Sequence, residues 1–167
     1  MEKIIIDRLR DLKQKQEELE KKLNVKINIK GKVVTIVGKP FDEYEAMLVL
    51  EAIQFGFPTK KAISLKEEEV IFRKIPIKEF TRRRNLKDVR GRVIGKEGKT
   101  KRTIEQIAGC EMIIKDNTIG LLGPTENIEE ATTALQNLIR GSKQANVYKY
   151  LEKINTRKKF DSSRQIK

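Results

Sequence analysis

The sequence predicts a mixed α/β chain of two related small units, each a three-stranded sheet with helices packed on one face. A short grammar of strand, two-residue turn, returning strand, glycine stop and helix occurs twice, 85 residues apart. Internal duplication accounts for such a period. Length agrees: 167 residues with 38% apolar side chains can bury one good core or two small ones, here modules of roughly 70 residues each.

In the first copy, Val25-Lys26-Ile27-Asn28-Ile29-Lys30 alternates apolar and polar residues, Gly31-Lys32 turns, and Val33 to Val37 returns, the pattern of a β-hairpin with one buried face. Gly38-Lys39-Pro40 ends it. Asp42, three residues before Glu45, resembles a capping box for a helix carrying Ala46, Val49, Leu50 and Ile53 on one side. Upstream stand only Ile4 to Ile6 and a long helical stretch to about Leu23, so this copy is expected to be degenerate or to lack its first strand. Ile5, Leu9, Leu12, Gln16, Leu19 and Leu23 fall at heptad spacing. A short coiled coil would use them, which leaves a dimer open, but core packing of an ordinary helix explains the same stripe and is preferred.

The second copy opens with a strand at Val70 to Ile75, a basic stretch through Arg82-Arg83-Arg84, a short helix ending near Ile94, the loop Gly95 to Gly98 and a helix from about Lys99 to Ala108. Cys110 to Lys115 reads as a strand, Asp116-Asn117 as a turn, Ile119 to Leu122 as the return and Gly123-Pro124 as the stop. Thr125 is placed to cap a helix whose apolar positions Ile128, Ala131, Leu135, Leu138 and Ile139 follow the 3.6 period. The order is β-α-α-β-β-α. The expected layout is a first domain at 1–56, a linker at 57–69 with a helical turn around Ala62, a second domain at 70–142, a helix at 143–154 and a flexible basic tail at 155–167.

Charge is unevenly spread. Residues 71–108 carry 13 basic and 4 acidic side chains, whereas 109–142 carry 2 and 5, and the whole chain has a net +13. An excess of that size within one short segment is the footprint of a polyanion partner, and no wide apolar face accompanies it for a membrane surface. Histidine is absent, which removes the usual general base and the Ser/His, Cys/His and His-carboxylate constellations together. The single cysteine, Cys110, lacks the company of a zinc site. No enzyme, metal or cofactor is expected. No apolar run approaches the ~20 residues that span a bilayer, and the start, Met1 to Asp7, is too short in apolar residues for a signal peptide, so the chain is read as soluble, cytoplasmic and free of the membrane.

A G-x-x-G loop between two helices lets the backbone approach a sugar-phosphate chain with no Cβ in the way. The following helix N-terminus then points unpaired N–H groups at the phosphate. Gly95-Lys96-Glu97-Gly98 meets this description, and Lys99, Lys101 and Arg102 add positive charge in the first turn. Gly98-Lys99-Thr100 resembles the end of a nucleotide-phosphate loop, but that motif needs glycine where Val93 stands and a strand directly before it. Val93-Ile94, the glycine loop, the basic helix and the alternating strand that follows form the order of a KH domain, whose loop clamps about four nucleotides. Two tandem type I KH-like domains are therefore expected, the first without a clamp, since its matching positions are Arg10-Asp11-Leu12-Lys13.

From Gly91-Arg92-Val93-Ile94-Gly95-Lys96-Glu97-Gly98-Lys99-Thr100-Lys101-Arg102-Thr103-Ile104-Glu105, Leu122 to Ile128, Gly141-Ser142-Lys143 and Val147-Tyr148, the chain resembles the KH-domain ribosome-assembly factors known as partner of Nob, in their archaeal-type form. The resemblance implies single-stranded RNA, specifically the 3′ region of small-subunit ribosomal RNA, as ligand. It also implies an rRNA-processing endonuclease and a translation initiation factor subunit as partners; an adaptor that docks these proteins, with RNA secondary, is the alternative. Carried across by position, it implies phosphate and sugar contacts at Gly95, Lys96, Gly98, Lys99, Lys101 and Arg102, and a base groove floored by Ile94, Ile104 and the strand from Met112 to Ile114. Arg82, Arg83, Arg84, Arg90 and Arg92 would reach flanking RNA. Glu97 is unfavourable beside phosphate unless it points to solvent.

Overall fold

Each copy of the repeat closes its own three-stranded antiparallel sheet. The computed structural model describes residues 1–165, and the chain divides into two units, Met1–Phe72 and Arg73–Lys167.

Unit 1 runs β1 (Glu2–Ile5), α1 (Leu9–Gln14), α2 (Gln16–Leu23), β2 (Lys26–Lys30), β3 (Val33–Val37) and α3 (Pro40–Phe55), followed by α4 (Thr59–Ala62) and a 3-10 turn at Ile63–Lys66. Its strand order is β1-β3-β2. The first strand is thus present: β1 pairs antiparallel with β3, Ile4 opposite Val34. It escaped the sequence reading because it is four residues long and begins with exposed Glu2 and Lys3, so little alternation marks it.

Alternation along β2 and β3 sends Ile27, Val34 and Ile36 inward, where they bury with Leu12, Leu19, Leu23, Ala46, Val49 and Leu50. The heptad stripe is therefore ordinary core packing. Ile5 is exposed, and the helix breaks at Lys15 (φ −109°, ψ 12°), leaving no continuous helix for a coiled coil. Helix α3 starts at Pro40, earlier than the Asp42/Glu45 reading, with proline in the first turn where its missing N–H does no harm. Glu43 completes that end: Oε1 accepts from the Gly38 N–H at 2.9 Å and Oε2 from the Met1 ammonium at 2.9 Å. These two donors hold the Glu43 carboxyl below the usual carboxylate range, the ammonium contributing more. Segment 57–69 differs from an open linker, since Phe57, Thr59, Ala62 and Leu65 are all buried and α4 packs on α3.

Unit 2 runs β4 (Val70–Pro76, its first residues preceding the unit boundary), a 3-10 turn at Ile77–Phe80, α5 (Leu86–Ile94), α6 (Lys99–Ala108), β5 (Glu111–Lys115), β6 (Thr118–Pro124), α7 (Thr125–Arg140) and α8 (Gln144–Gln165). The order β4-β6-β5 repeats that of unit 1. Thr125 is the first residue of α7 and not its cap, a position held by Pro124. Helix α8 continues through the segment read as a flexible tail. Asn155 donates to the Ile107 carbonyl, and Lys158 reaches Asn127 at 3.0 Å and Glu130 at 2.7 Å. These polar anchors leave no apolar pattern to read; residues 166–167 lie outside the described residues.

Contacts recur at the sequence period of 85. In both units a helix glutamate reaches across to a strand amide, Glu20 to Ile27 N at 2.9 Å and Glu105 to Met112 N at 3.2 Å. In both a glycine is pressed on the residue that leads into an outer strand, β2 or β5: a Cβ at Gly38 would stand 2.9 Å from Val25 Cγ1, and one at Gly123 3.2 Å from Cys110 Cβ. Both units also turn sharply at a positive-φ glycine after the third helix, Gly56 and Gly141.

Candidate nucleic-acid interface

Helix α5 delivers the glycine loop. Asn85 caps it by accepting from Asp88 N at 3.4 Å, a bond that satisfies one of the orphan N–H groups of a helix start, and buried Val89 and Val93 pin its inner face. The helix ends at Gly95 (φ 77°, ψ 176°). A Cβ at Gly95 would stand 2.7 Å from the backbone nitrogen of buried Thr100 and closer still to its hydroxyl, so glycine is required there by conformation and by space. Gly98 (φ 75°) differs: a Cβ there would meet only Arg102 Nη1, at 4.0 Å. Its constraint is conformational, and its outer side is open to a ligand. Glu97 between them also has φ 55°, a conformation that costs a non-glycine residue roughly 1–2 kcal/mol. Strain of this kind gathers at functional loops.

The first turn of α6 faces this loop with no side-chain cap and no acidic residue. Its leading N–H groups therefore carry the partial positive charge of the helix end undiminished. Lys96, Lys99 and Arg102 are exposed, and among the described residues none has a side-chain hydrogen bond or ion pair. Glu97 points into solvent beside them.

Lys101 is placed differently. Its ammonium pairs with Glu105 at 2.8 Å, one turn on in the same helix, and Glu105 in turn accepts from the Met112 N–H and ties α6 to β5. Arg90 and Arg92 are likewise structural in part: Arg90 donates to the Asp116 carbonyl at 3.0 Å, and Arg92 to the carbonyls of Gly141 at 2.9 Å and Ser142 at 2.6 Å. Arg82, Arg83 and Arg84 are exposed at the other end of α5, about 13 Å of helix from the glycines. The structure therefore does not bring them to the clamp.

Of the residues expected to floor a base groove, Ile104 and Met112 are fully buried core. Ile94 and Ile114 are half-buried; Ile114 shares the face of Met112 by strand alternation and lies on the sheet edge, since β5 is an outer strand. Of the four, only Ile94, next to the loop in the chain, and Ile114, on the outer strand, keep apolar surface accessible. Cys110 is 8% exposed, and burial, with Glu105 and Glu111 nearby, pushes its thiol up to about 12. It packs as a small apolar residue and does not ionise near neutrality.

A family model for the second KH domain of PNO1, described as a eukaryotic-type KH domain (KH-domain type I), matches residues 71–156, a span that holds the glycine loop and all the elements of unit 2 from β4 to the first half of α8. The chain belongs to the PNO1/Dim2 family of KH-domain proteins. It is 34% identical over 142 residues to a KH domain-containing protein of Methanocaldococcus jannaschii, covering 81% of this chain and 63% of that one. It is 31% identical over 147 residues to the pre-rRNA-processing protein pno1 of Emericella nidulans, covering 83% and 57%. The chain spans about three fifths of the length of these curated relatives. Among solved structures, one of an a/eIF2alpha-aDim2p-rRNA complex from Pyrococcus horikoshii superposes with a TM-score of 0.81 at 30% identity, covering 93% of each chain. The PNO1/Dim2 KH fold, with two three-stranded sheets packed by helices, is thus the fold the resemblance implied.

The sequence reading missed Phe80 and Arg140 on the basic side of unit 2. Arg140 stands at the end of α7, far along the chain from Arg82 and Arg83, and only folding puts them around one cavity.

Proposed function

We propose that this protein is a non-catalytic RNA-binding factor of small-subunit ribosome assembly that grips single-stranded ribosomal RNA, at the 3′ region of the small-subunit rRNA, through its second KH domain. The observation that carries this reading is the loop Gly95–Gly98. It presents an open glycine backbone, an uncapped helix start and three unpaired cations, Lys96, Lys99 and Arg102, on one surface. A phosphate needs such donors and nothing more. Ile94 and Ile114 would take the bases, while Arg90 and Arg92, through their bonds to backbone carbonyls, and Lys101, through Glu105, hold the surface in shape. The names of the relatives, pre-rRNA-processing protein and a component of an rRNA complex, supply the class of RNA.

An rRNA-processing endonuclease and a translation initiation factor subunit are the protein partners of this reading, and the cytoplasm is its location. The complex with a/eIF2alpha formed by the Pyrococcus horikoshii relative supports the second partner. An adaptor role for unit 1 is favoured by one observation: its outer sheet face leaves Ile5, Val33 and Val37 exposed.

The test is a titration of fluorescent single-stranded RNA of the small-subunit rRNA 3′ sequence at rising salt. Displaced counterions give log affinity a slope of about −0.7 per neutralised phosphate on a single strand, so a steep fall is expected. Binding that stays flat from low to high salt would contradict the phosphate clamp, and an affinity no better than for a scrambled sequence would remove the 3′ assignment.

A further inference from the structure

A cavity of about 590 Å³ opens on unit 2 away from the glycine loop, lined by Glu79, Phe80, Thr81, Arg82, Arg83 and Arg140. Three arginines against one glutamate leave its walls two charges positive. The Arg140 guanidinium carbon lies 5.8 Å from the centre of the Phe80 ring, within cation–π range. Among the described residues, no hydrogen bond or ion pair engages the guanidinium of Arg82, Arg83 or Arg140. The volume falls within the range of small-ligand pockets, and its wall pairs a flat aromatic-guanidinium surface with free phosphate donors. Helix α5 joins the two sites: its start follows the arginine loop, its end is the glycine loop, and Arg92 on its last turn holds the carbonyl of Gly141, the residue after Arg140.

We propose that this cavity is a second nucleotide site, which takes one unstacked base of the same single-stranded RNA against Phe80 and Arg140 and its phosphate on Arg82 and Arg83. It rests on the reading of the glycine loop as an RNA clamp and extends the footprint beyond the four nucleotides that one KH groove holds. Base stacking on an aromatic or arginine plane tolerates any sequence. The site therefore adds affinity and length dependence, with sequence choice left to the KH groove. A strand must pass along α5, about 13 Å, to occupy both.

The test compares a four-nucleotide and a ten-nucleotide single-stranded RNA on the full chain, with Arg140→Gln, Phe80→Leu and Gly98→Asp variants, thermal melting having checked that each is folded. The native protein is expected to bind the longer RNA more tightly, and Arg140→Gln or Phe80→Leu to lose roughly tenfold on the longer RNA and nothing on the shorter. Gly98→Asp weakens both. Equal affinity of both variants and the native protein for the longer RNA overturns the second site and leaves the clamp standing. Native protein that binds neither RNA overturns both. Binding of free nucleoside monophosphate that Arg140→Gln abolishes, without any gain for longer RNA, would make the cavity a small-molecule site and overturn the strand path.

Discussion

The two units share a strand order and differ where the first two helices meet. In unit 2 the junction is a four-residue loop with three positive φ angles, at Gly95, Glu97 and Gly98. In unit 1 it is the single residue Lys15, and Arg10 to Lys13, which align with the glycine loop at the repeat period, lie inside α1. The following helices differ as well. The first turn of α2 carries Glu17 and Glu18, whereas that of α6 carries none and leads with Lys99. Glutamates at a helix start neutralise its positive end, and the same charges repel phosphate. Unit 1 thus lacks the features of the candidate clamp in backbone, in helix end and in charge. The two units keep one fold because its supports lie elsewhere: the inward strand residues, the glutamate-to-amide bond and the pressed glycine recur in both.

The largest expected effect probes the loop backbone. Gly95→Ala combines a strained φ with overlap onto Thr100, and each contributes up to about 3 kcal/mol, so unit 2 should lose roughly 3 kcal/mol or more in urea unfolding. Gly31→Ala in unit 1 has a similar φ of 59° but nothing within 4 Å, and should lose only about 1 kcal/mol. Equal losses would show that the loop is not packed as described. Next in size is charge. Replacing Lys96, Lys99 and Arg102 by Gln should lower RNA affinity by at least roughly tenfold and flatten the salt slope by about 2, measured by fluorescence anisotropy. The matched Lys13, Lys15 and Lys21 change in unit 1 should move neither.

A smaller pair of effects tests the shared support. Glu20→Gln and Glu105→Gln each weaken a bond to a strand amide, and about 1 kcal/mol is expected from each; only Glu105→Gln also releases Lys101 and should raise RNA affinity slightly. Smallest is a pH effect confined to unit 1. Because the Met1 ammonium and the Gly38 amide depress the Glu43 carboxyl, its contribution is present above the ordinary carboxylate value near 4.5 and fades as pH falls through and below it. Unfolding followed from pH 7 to 3 should show a flatter profile for Glu43→Gln; an unchanged slope would mean that the pairing does not stabilise the fold.

Much of this difference was legible beforehand. Strict alternation in Val25 to Lys30, and looser alternation in Cys110 to Lys115 where Ile113 and Ile114 are adjacent, marks the hairpins, and both two-residue turns fall where glycine or Asp-Asn stands. What stayed hidden depends on contacts that leave no periodic trace. Strand β1 is short and mostly exposed, α8 is continued past Ile154 by polar anchors at Asn155 and Lys158, and α3 begins at Pro40 because Glu43 satisfies the Gly38 amide. The candidate clamp shows the same limit. Glycine spacing located the loop, but Lys101 looked like its neighbours until Glu105 was seen to hold it, and nothing in sequence joins Arg140 to Phe80.

The most direct test of the central claim is one substitution, Gly98→Asp, which puts a carboxylate into the open space in front of α6 without touching the core. With the variant verified as folded, its affinity for single-stranded RNA of the small-subunit 3′ sequence should fall at least roughly tenfold at low salt, while the corresponding change in unit 1, Lys13→Asp, leaves it within about twofold. Unchanged affinity for Gly98→Asp would contradict the account and place the RNA away from the glycine loop.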